Sequence, residues 1–247
     1  IGLILRLATY ARINDFGLIE TPYAKVVNGK VTDDIVYLNA FEEEQHPIAH
    51  AAVKISPDGK LLDAYVECRL KGEPVLTEPN EVKYMDIATN QMFSIATSMI
   101  PFVENDDANR ALMGSNMQKQ ATPCVVPEAP IVATGIEEMA ARDTGRLLYA
   151  KEAGTVTAVD SKKIVVTDDK GKKHEYTLVP LSMTNEFSAF NHRPAVNLGK
   201  KVKRGDLLAD TSSTANGQLA LGQNVRVAFM SWSGANYEDA IIISERL

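Results

Sequence analysis

Cysteine is nearly absent from this chain: Cys68 and Cys124 are the two in 247 residues, far apart and without metal-ligand spacing. A disulfide framework and a zinc site are thereby disfavoured, and free buried thiols in a reducing compartment are expected. Aromatic residues make up only 6% of the chain, against 15 glycines and 11 prolines. That balance argues against a helical bundle and for many short strands joined by turns. No apolar run approaches the ~20 residues of a membrane helix, and no signal-peptide pattern is visible, so nothing is expected to span or cross a membrane. A basic excess is also missing, since the formal net charge is −6. That argues against a freestanding DNA-binding module, whereas a locally basic channel within an acidic exterior remains compatible. The basic clusters, Lys162-Lys163, Lys170 with Lys172-Lys173, and Lys200-Lys201 with Lys203-Arg204, fit solvated turns better than a binding patch.

What is present suffices for a substantial core: 45% of residues are apolar, enough for one or two domains. Residues 1–15 have the composition of a short packed helix. Asn28-Gly29 lies between Tyr23-Ala24-Lys25-Val26-Val27 and Lys30-Val31-Thr32, and that dipeptide supplies the positive φ of a tight hairpin. A further strand is predicted over 35–38, one acidic helical turn over 41–45, a turn at Pro57-Asp58-Gly59, and an alternating, exposed strand over 65–70. His46 and His50 are four apart, but Pro47 between them argues against a helical metal pair. Residues 124–235 read as short strands, chiefly 155–160, 163–167 and 175–179, with Asp168-Asp169-Lys170-Gly171 as a turn. The cadence of 202–210 is that of a barrel-sandwich module, which carrier domains share; the Met-Lys-Met of a carrier is lacking. His192 reads as a polar loop residue. The expected fold class is mixed α+β and β-rich, several short-stranded modules with one functional helix near 106–121.

That helix is predicted from Asp106 and Asp107, an N-cap with an acidic first turn, to the stop at Pro123. At roughly 100° per residue, Asn109, Met113, Asn116, Met117 and Gln120 share one face, bordered by Arg110. Ala108, Ala111, Leu112 and Ser115 lie opposite. A face of amides and arginine can bond sugars, bases and phosphates without repelling them. The same spacing also fits methionines in a core and amides in solvent. A second candidate, Glu238-Asp239, precedes Ala240-Ile241-Ile242-Ile243, a strand-type run. Neighbouring carboxylates on a strand point to opposite faces, so both reach one ion only across a bend; a solvated acidic turn is the alternative.

The 106–123 stretch resembles the most characteristic segment of the large β subunit of bacterial-type multisubunit RNA polymerase. Segments similar to that family recur in order: Leu7-Ala8-Thr9-Tyr10-Ala11-Arg12, Gly17-Leu18-Ile19-Glu20-Thr21-Pro22-Tyr23, Tyr84-Met85-Asp86, Leu219-Ala220-Leu221-Gly222-Gln223-Asn224, Val227-Ala228-Phe229-Met230 and Asn236-Tyr237-Glu238-Asp239-Ala240-Ile241. The resemblance implies an internal piece of that subunit: the end of the fork region over 1–20, an external β-rich domain over 21–85, and an incomplete hybrid-binding region over 86–247.

It further implies a nucleotidyltransferase subunit of DNA-directed RNA polymerase, inactive as an isolated piece. By resemblance Arg110 faces nucleotide phosphates, with Glu238 and Asp239 in supporting catalytic roles near Mg2+ held mainly by the partner β′ subunit. Asn109, Met113, Asn116, Lys119 and Gln120 lie toward the RNA–DNA hybrid; Lys119 stands where the family usually has arginine, keeping charge but losing the planar fork. Ile4 matches a position lining the rifamycin pocket, although Leu5 and Arg6 replace small polar residues there. His192 stands where glutamine is common, and Thr211-Ser212-Ser213-Thr214 replaces a turn containing Gly-Pro. Implied partners are β′, the α subunits and sigma factor, template DNA, nascent RNA and nucleoside triphosphates, in the cytoplasm at the nucleoid, a plastid source being compatible. A non-catalytic β-rich scaffold or assembly domain is the competing reading; it predicts protein packed on every face of the 106–121 helix.

Overall fold

The structure, a computed structural model, describes residues 2–245. Its first half is organised by one sheet of β1 (Arg12–Ile13), β2 (Ile19–Val27), β3 (Lys30–Asn39), β4 (Ile48–Ala49), β5 (Val66–Leu70), β6 (Glu73–Thr77) and β7 (Tyr84–Asp86). The path runs β1-β2-β7-β4-β5-β6, with β3 paired to β2; β4 and β7 are parallel and the other pairs antiparallel. Asn28 at φ 49° and Gly29 at φ 72° close the β2–β3 hairpin with Val27 opposite Lys30. Both turn residues are left-handed, the twist a two-residue hairpin requires. The separate strand expected over 35–38 is continuous with β3. It leads into α1 (Ala40–Glu43), where Asn39 and Glu42 form a reciprocal capping box.

One face of this sheet buries Val26, Ala49, Val66, Cys68 and Met85 with Leu61 and Val82 from loops; each full aliphatic burial contributes about 1.5–3 kcal/mol. The 65–70 stretch is not the exposed strand its alternation suggested. β5 lies between β4 and β6, and both Cys68 and Arg69 are buried. Arg69 tolerates burial because Asp86, Glu43 and the Tyr23 hydroxyl occupy its donors. Burial alone would favour the neutral guanidine; the bonds and charge of Asp86, then Glu43, override it and hold the proton more tightly than usual.

Residues 2–10 form no helix. The Leu5 amide donates to the Met92 carbonyl at 2.9 Å and the Ser94 amide to that of Leu3 at 3.0 Å, so backbone groups a helix would need are committed to another segment. Gln91, fully buried, ties that segment to the sheet: its Nε2 donates to the Pro22 carbonyl and its Oε1 accepts from the Ile87 amide.

Three helices follow, α2 (Ile95–Ser98), α3 (Ala108–Gln118) and α4 (Ile136–Asp143), then β8 (Leu148–Tyr149), β9 (Gly154–Val159), β10 (Lys163–Thr167), β11 (Lys173–Thr177), β12 (Ser182–Met183), β13 (Ala189–Phe190), β14 (Arg193–Pro194), β15 (Lys201–Val202), β16 (Leu207–Asp210), β17 (Thr214–Ala215) and β18 (Gln218–Leu219). The expectation of strands throughout 124–235 missed α4. Glu137 in its first turn accepts from the Thr134 and Gly135 amides at 3.1 and 2.8 Å, and the N-cap itself is Gly135, which offers no side-chain cap.

The sheets β11-β10-β9-β15 and β14-β16-β8 close on one shared core of Val156, Ile164, Val166, Leu178, Val202 and Leu208. This is the sandwich-like part; no barrel closes among the described residues. His192 is buried rather than a simple loop residue. Its Nδ1 accepts from the Val179 amide, so Nε2 carries the proton and donates to the Arg146 carbonyl, both at 2.9 Å. In the 211–214 turn the buried Asp210 carboxylate accepts from the Thr214 hydroxyl and the Asn216 and Gly217 amides.

Candidate nucleic-acid interface

The helix α3 is launched by a change of backbone direction. Phe102 adopts a left-handed φ of 56°, a short 3-10 turn follows, and Asp107 then caps the helix by accepting from the Asn109 amide at 3.0 Å. The observed helix is shorter than the 106–121 expected from sequence, because Lys119 and Gln120 already donate to carbonyls three residues back, the tightening seen at helix ends.

Its two sides differ as the sequence indicates. Ala111 and Ser115 are buried, and Ser115 returns its hydroxyl to the Leu112 carbonyl. Gln118, which the sequence reading did not single out, donates Nε2 to the Ala96 carbonyl at 2.9 Å and thereby fastens α3 to α2. The spacing of 109, 113 and 116 with 111, 115 and 118 could have located this anchor, since 118 extends the small-residue side by one turn.

The other side is open. Asn109, Arg110, Met113, Met117, Lys119 and Gln120 are exposed and Asn116 is half-buried; Met113 and Met117 retain 47% and 62% of their accessible surface. The methionines are therefore not core residues of this chain, and among the described residues no protein segment seals this face. Among the described residues the Arg110 guanidinium makes one side-chain hydrogen bond, Nη1 to Met113 Sδ at 3.3 Å.

Glu238 and Asp239 are placed elsewhere. They lie exposed in a turn with Glu238 left-handed at φ 55°, and no ion pair joins them to Arg110 among the described residues. The strand expected from Ala240 onward is not formed: residues 240–244 carry no ladder, and Ile241, Ile242 and Ile243 are exposed. A β-type run becomes a strand only when a partner takes its backbone groups, and here none does. Ile4 is also exposed, its backbone bridged to Phe93. No three acidic, histidine or cysteine side chains converge to hold a metal among the described residues. Two neighbouring carboxylates on a turn do not make a six-oxygen magnesium cage.

Comparison with known proteins bears on this arrangement. Residues 23–88 match the family model of the RNA polymerase beta subunit external 1 domain, and residues 149–247 match RNA polymerase Rpb2, domain 6. Across the whole chain, sequence identity is 49% to DNA-directed RNA polymerase subunit beta of Desulfatibacillum aliphaticivorans and 50% to that of Acetivibrio thermocellus. The chain belongs to the RNA polymerase β-subunit family. It covers 19% and 20% of those two relatives, so it spans about a fifth of their length. α3 and its open face fall between the two matched domains, at 89–148, a stretch that the full-length identity to the β subunits covers.

Proposed function

We propose that this chain forms one wall of the active-site channel of a DNA-directed RNA polymerase, with the 109–120 face of α3 turned toward the RNA–DNA hybrid and the incoming nucleoside triphosphate. Residues 1–20 end the fork region, 21–85 form the external domain and 86–247 begin the hybrid-binding region. The observation that carries this reading is the uncovered side of α3, where an arginine and three amides stand free of carboxylate partners. Arg110 offers a planar fork of donors to phosphate oxygens. Asn109, Asn116 and Gln120 provide neutral donors and acceptors for sugar and backbone oxygens, Lys119 adds a point charge, and Met113 gives an apolar surface beside them.

Nucleotidyl transfer requires two metal ions about 4 Å apart, clamping the attacking hydroxyl and the leaving pyrophosphate. The donor set on this chain does not hold such a pair. Magnesium is assigned to the β′ partner, while Glu238 and Asp239 act from the margin through water. The assembly contains β′, α subunits and sigma factor, and works in the cytoplasm on template DNA.

Substitution in the assembled enzyme tests the reading. Arg110→Ala removes a charge-assisted bond worth ~1.5–3 kcal/mol and lowers nucleotide use roughly 10–100-fold without loss of assembly. Unchanged extension kinetics in a correctly assembled enzyme would take Arg110 out of the site.

A further inference from the structure

The contact between Arg110 and Met113 has an unusual choice of partner. On a helix, the neighbours of residue 110 are the positions three and four away on either side. Toward the N-terminus the helix ends, and the two carboxylates there stand on extended backbone, Asp107 as the N-cap and Asp106 just before it. Asp107 is engaged, its carboxylate capping the Asn109 amide, but Asp106 makes no side-chain hydrogen bond among the described residues. Arg110 nevertheless pairs with neither, and its Nη1 rests on Met113 Sδ, one turn in the opposite direction.

We propose that Met113 is a positioning residue for Arg110: its thioether lays the guanidinium along the open face of α3, away from Asp106 and Asp107, and keeps its charge available for the phosphates of a nucleoside triphosphate. A thioether suits the task because sulfur is a weak acceptor. It occupies one of five N–H donors and leaves the charge unneutralised. A carboxylate in that role would compete directly with phosphate. The long unbranched side chain also follows the helix surface, which a β-branched residue could not do. The direction set by this contact points toward Asn116 and Gln120, the amides of the same face.

This inference rests on the phosphate role of Arg110 proposed above, and the two can fail separately. The test uses the assembled polymerase carrying the full-length subunit, with single-nucleotide extension followed as a function of nucleoside triphosphate concentration. Met113→Leu keeps the volume and loses the acceptor. It is expected to raise KM for the nucleotide about threefold to tenfold with kcat nearly unchanged, the pattern of a loss in binding. Asp106→Asn added to Met113→Leu is expected to restore KM, because the competing carboxylate is then neutral. In an Arg110→Ala background, Met113→Leu is expected to add nothing, the two acting as one unit. If Arg110→Ala is costly and Met113→Leu behaves as the parent enzyme, the positioning role falls and the phosphate role stands. If Met113→Leu lowers kcat and Asp106→Asn does not rescue it, Met113 acts by packing and the proposal is overturned. If Arg110→Ala itself is silent, both fall.

Discussion

Arg69 and Asp86 meet fork to fork inside the first sheet, Nη1 to Oδ2 at 2.9 Å and Nη2 to Oδ1 at 2.8 Å, joining β5 to β7 across the intervening β4. Both side chains are only 5% exposed. Such a pair is a weak source of net stability while it is intact, and a severe liability when broken, because the remaining charge is left in the interior. Glu43 and Tyr23 take one further donor each, and burial pushes the Tyr23 phenol above its ordinary range, so it stays neutral.

Removing the acid from this pair therefore exposes its value. Asp86→Ala is expected to destabilise the sheet by about 3–5 kcal/mol. Hydrogen exchange resolves this as lost amide protection over 66–70 and 84–86, with little change over 154–177. Uniform loss across both regions would mean that the pair does not act locally.

Gly154 opens β9 where a Cβ atom would fall on the Thr167 carbonyl oxygen and within 2.9 Å of its carbon and of Val166 Cγ1. Backbone cannot yield as a flexible side chain would. Gly154→Ala is expected to cost about 1–3 kcal/mol by overpacking, read as increased exchange in 154–159 and 163–167. Wild-type protection would show that the two strands separate freely at this point.

The buried Cys68 thiol is pushed up from its ordinary pKa by burial, which outweighs its contact with Thr77 and the charge of Arg69. A raised thiol pKa leaves less thiolate at neutral pH, and the thiolate is the reacting form. Alkylation of the native protein, mapped by mass spectrometry, is expected to modify the half-exposed Cys124 first and Cys68 only after unfolding. Equal rates at the two sites would contradict the burial of β5.

Two strand-connecting turns carry the clearest acid dependence. Asp160 is held below the usual carboxylate range by the Lys162 and Lys163 amides, and Asp168 by the Lys172 amide and His174. A carboxylate depressed in the folded state stabilises it fully above the unfolded value of about 3.9, and loses that contribution as pH falls through the folded value. NMR titration is expected to place both inflections below an unstructured aspartate, with the turns loosening in the same interval. Inflections at the ordinary value would remove the turns as acid-sensitive elements.

The fold was legible where the chain's own chemistry sets local geometry. Asn28-Gly29 announced the β2–β3 hairpin, Asp168 to Gly171 the β10–β11 turn, and the two aspartates the start of α3. What escaped depends on distant partners. Residues 2–10 carry helix-compatible composition, yet residues 92–94 claim their backbone. The alternation of 65–70 implied a solvent face because nothing local shows that Asp86, seventeen positions beyond Arg69, returns to neutralise it. Ile241 to Ile243 have strand character and no ladder, since propensity supplies no partner. The bonds of Glu137 at the start of α4 are local, and the helix was missed because the surrounding pattern favoured strands. At the site, helical spacing separated the two sides of α3, and only the coordinates decided that the methionine side lies uncovered.

The most direct test of the account places a photo-crosslinking amino acid at position 116 of the full-length subunit in a stalled elongation complex. Irradiation is expected to attach the subunit to the nascent RNA or the template strand, with little label on neighbouring protein. Crosslinks confined to protein, in a complex that still extends its transcript, would contradict the claim that this face of α3 borders the hybrid.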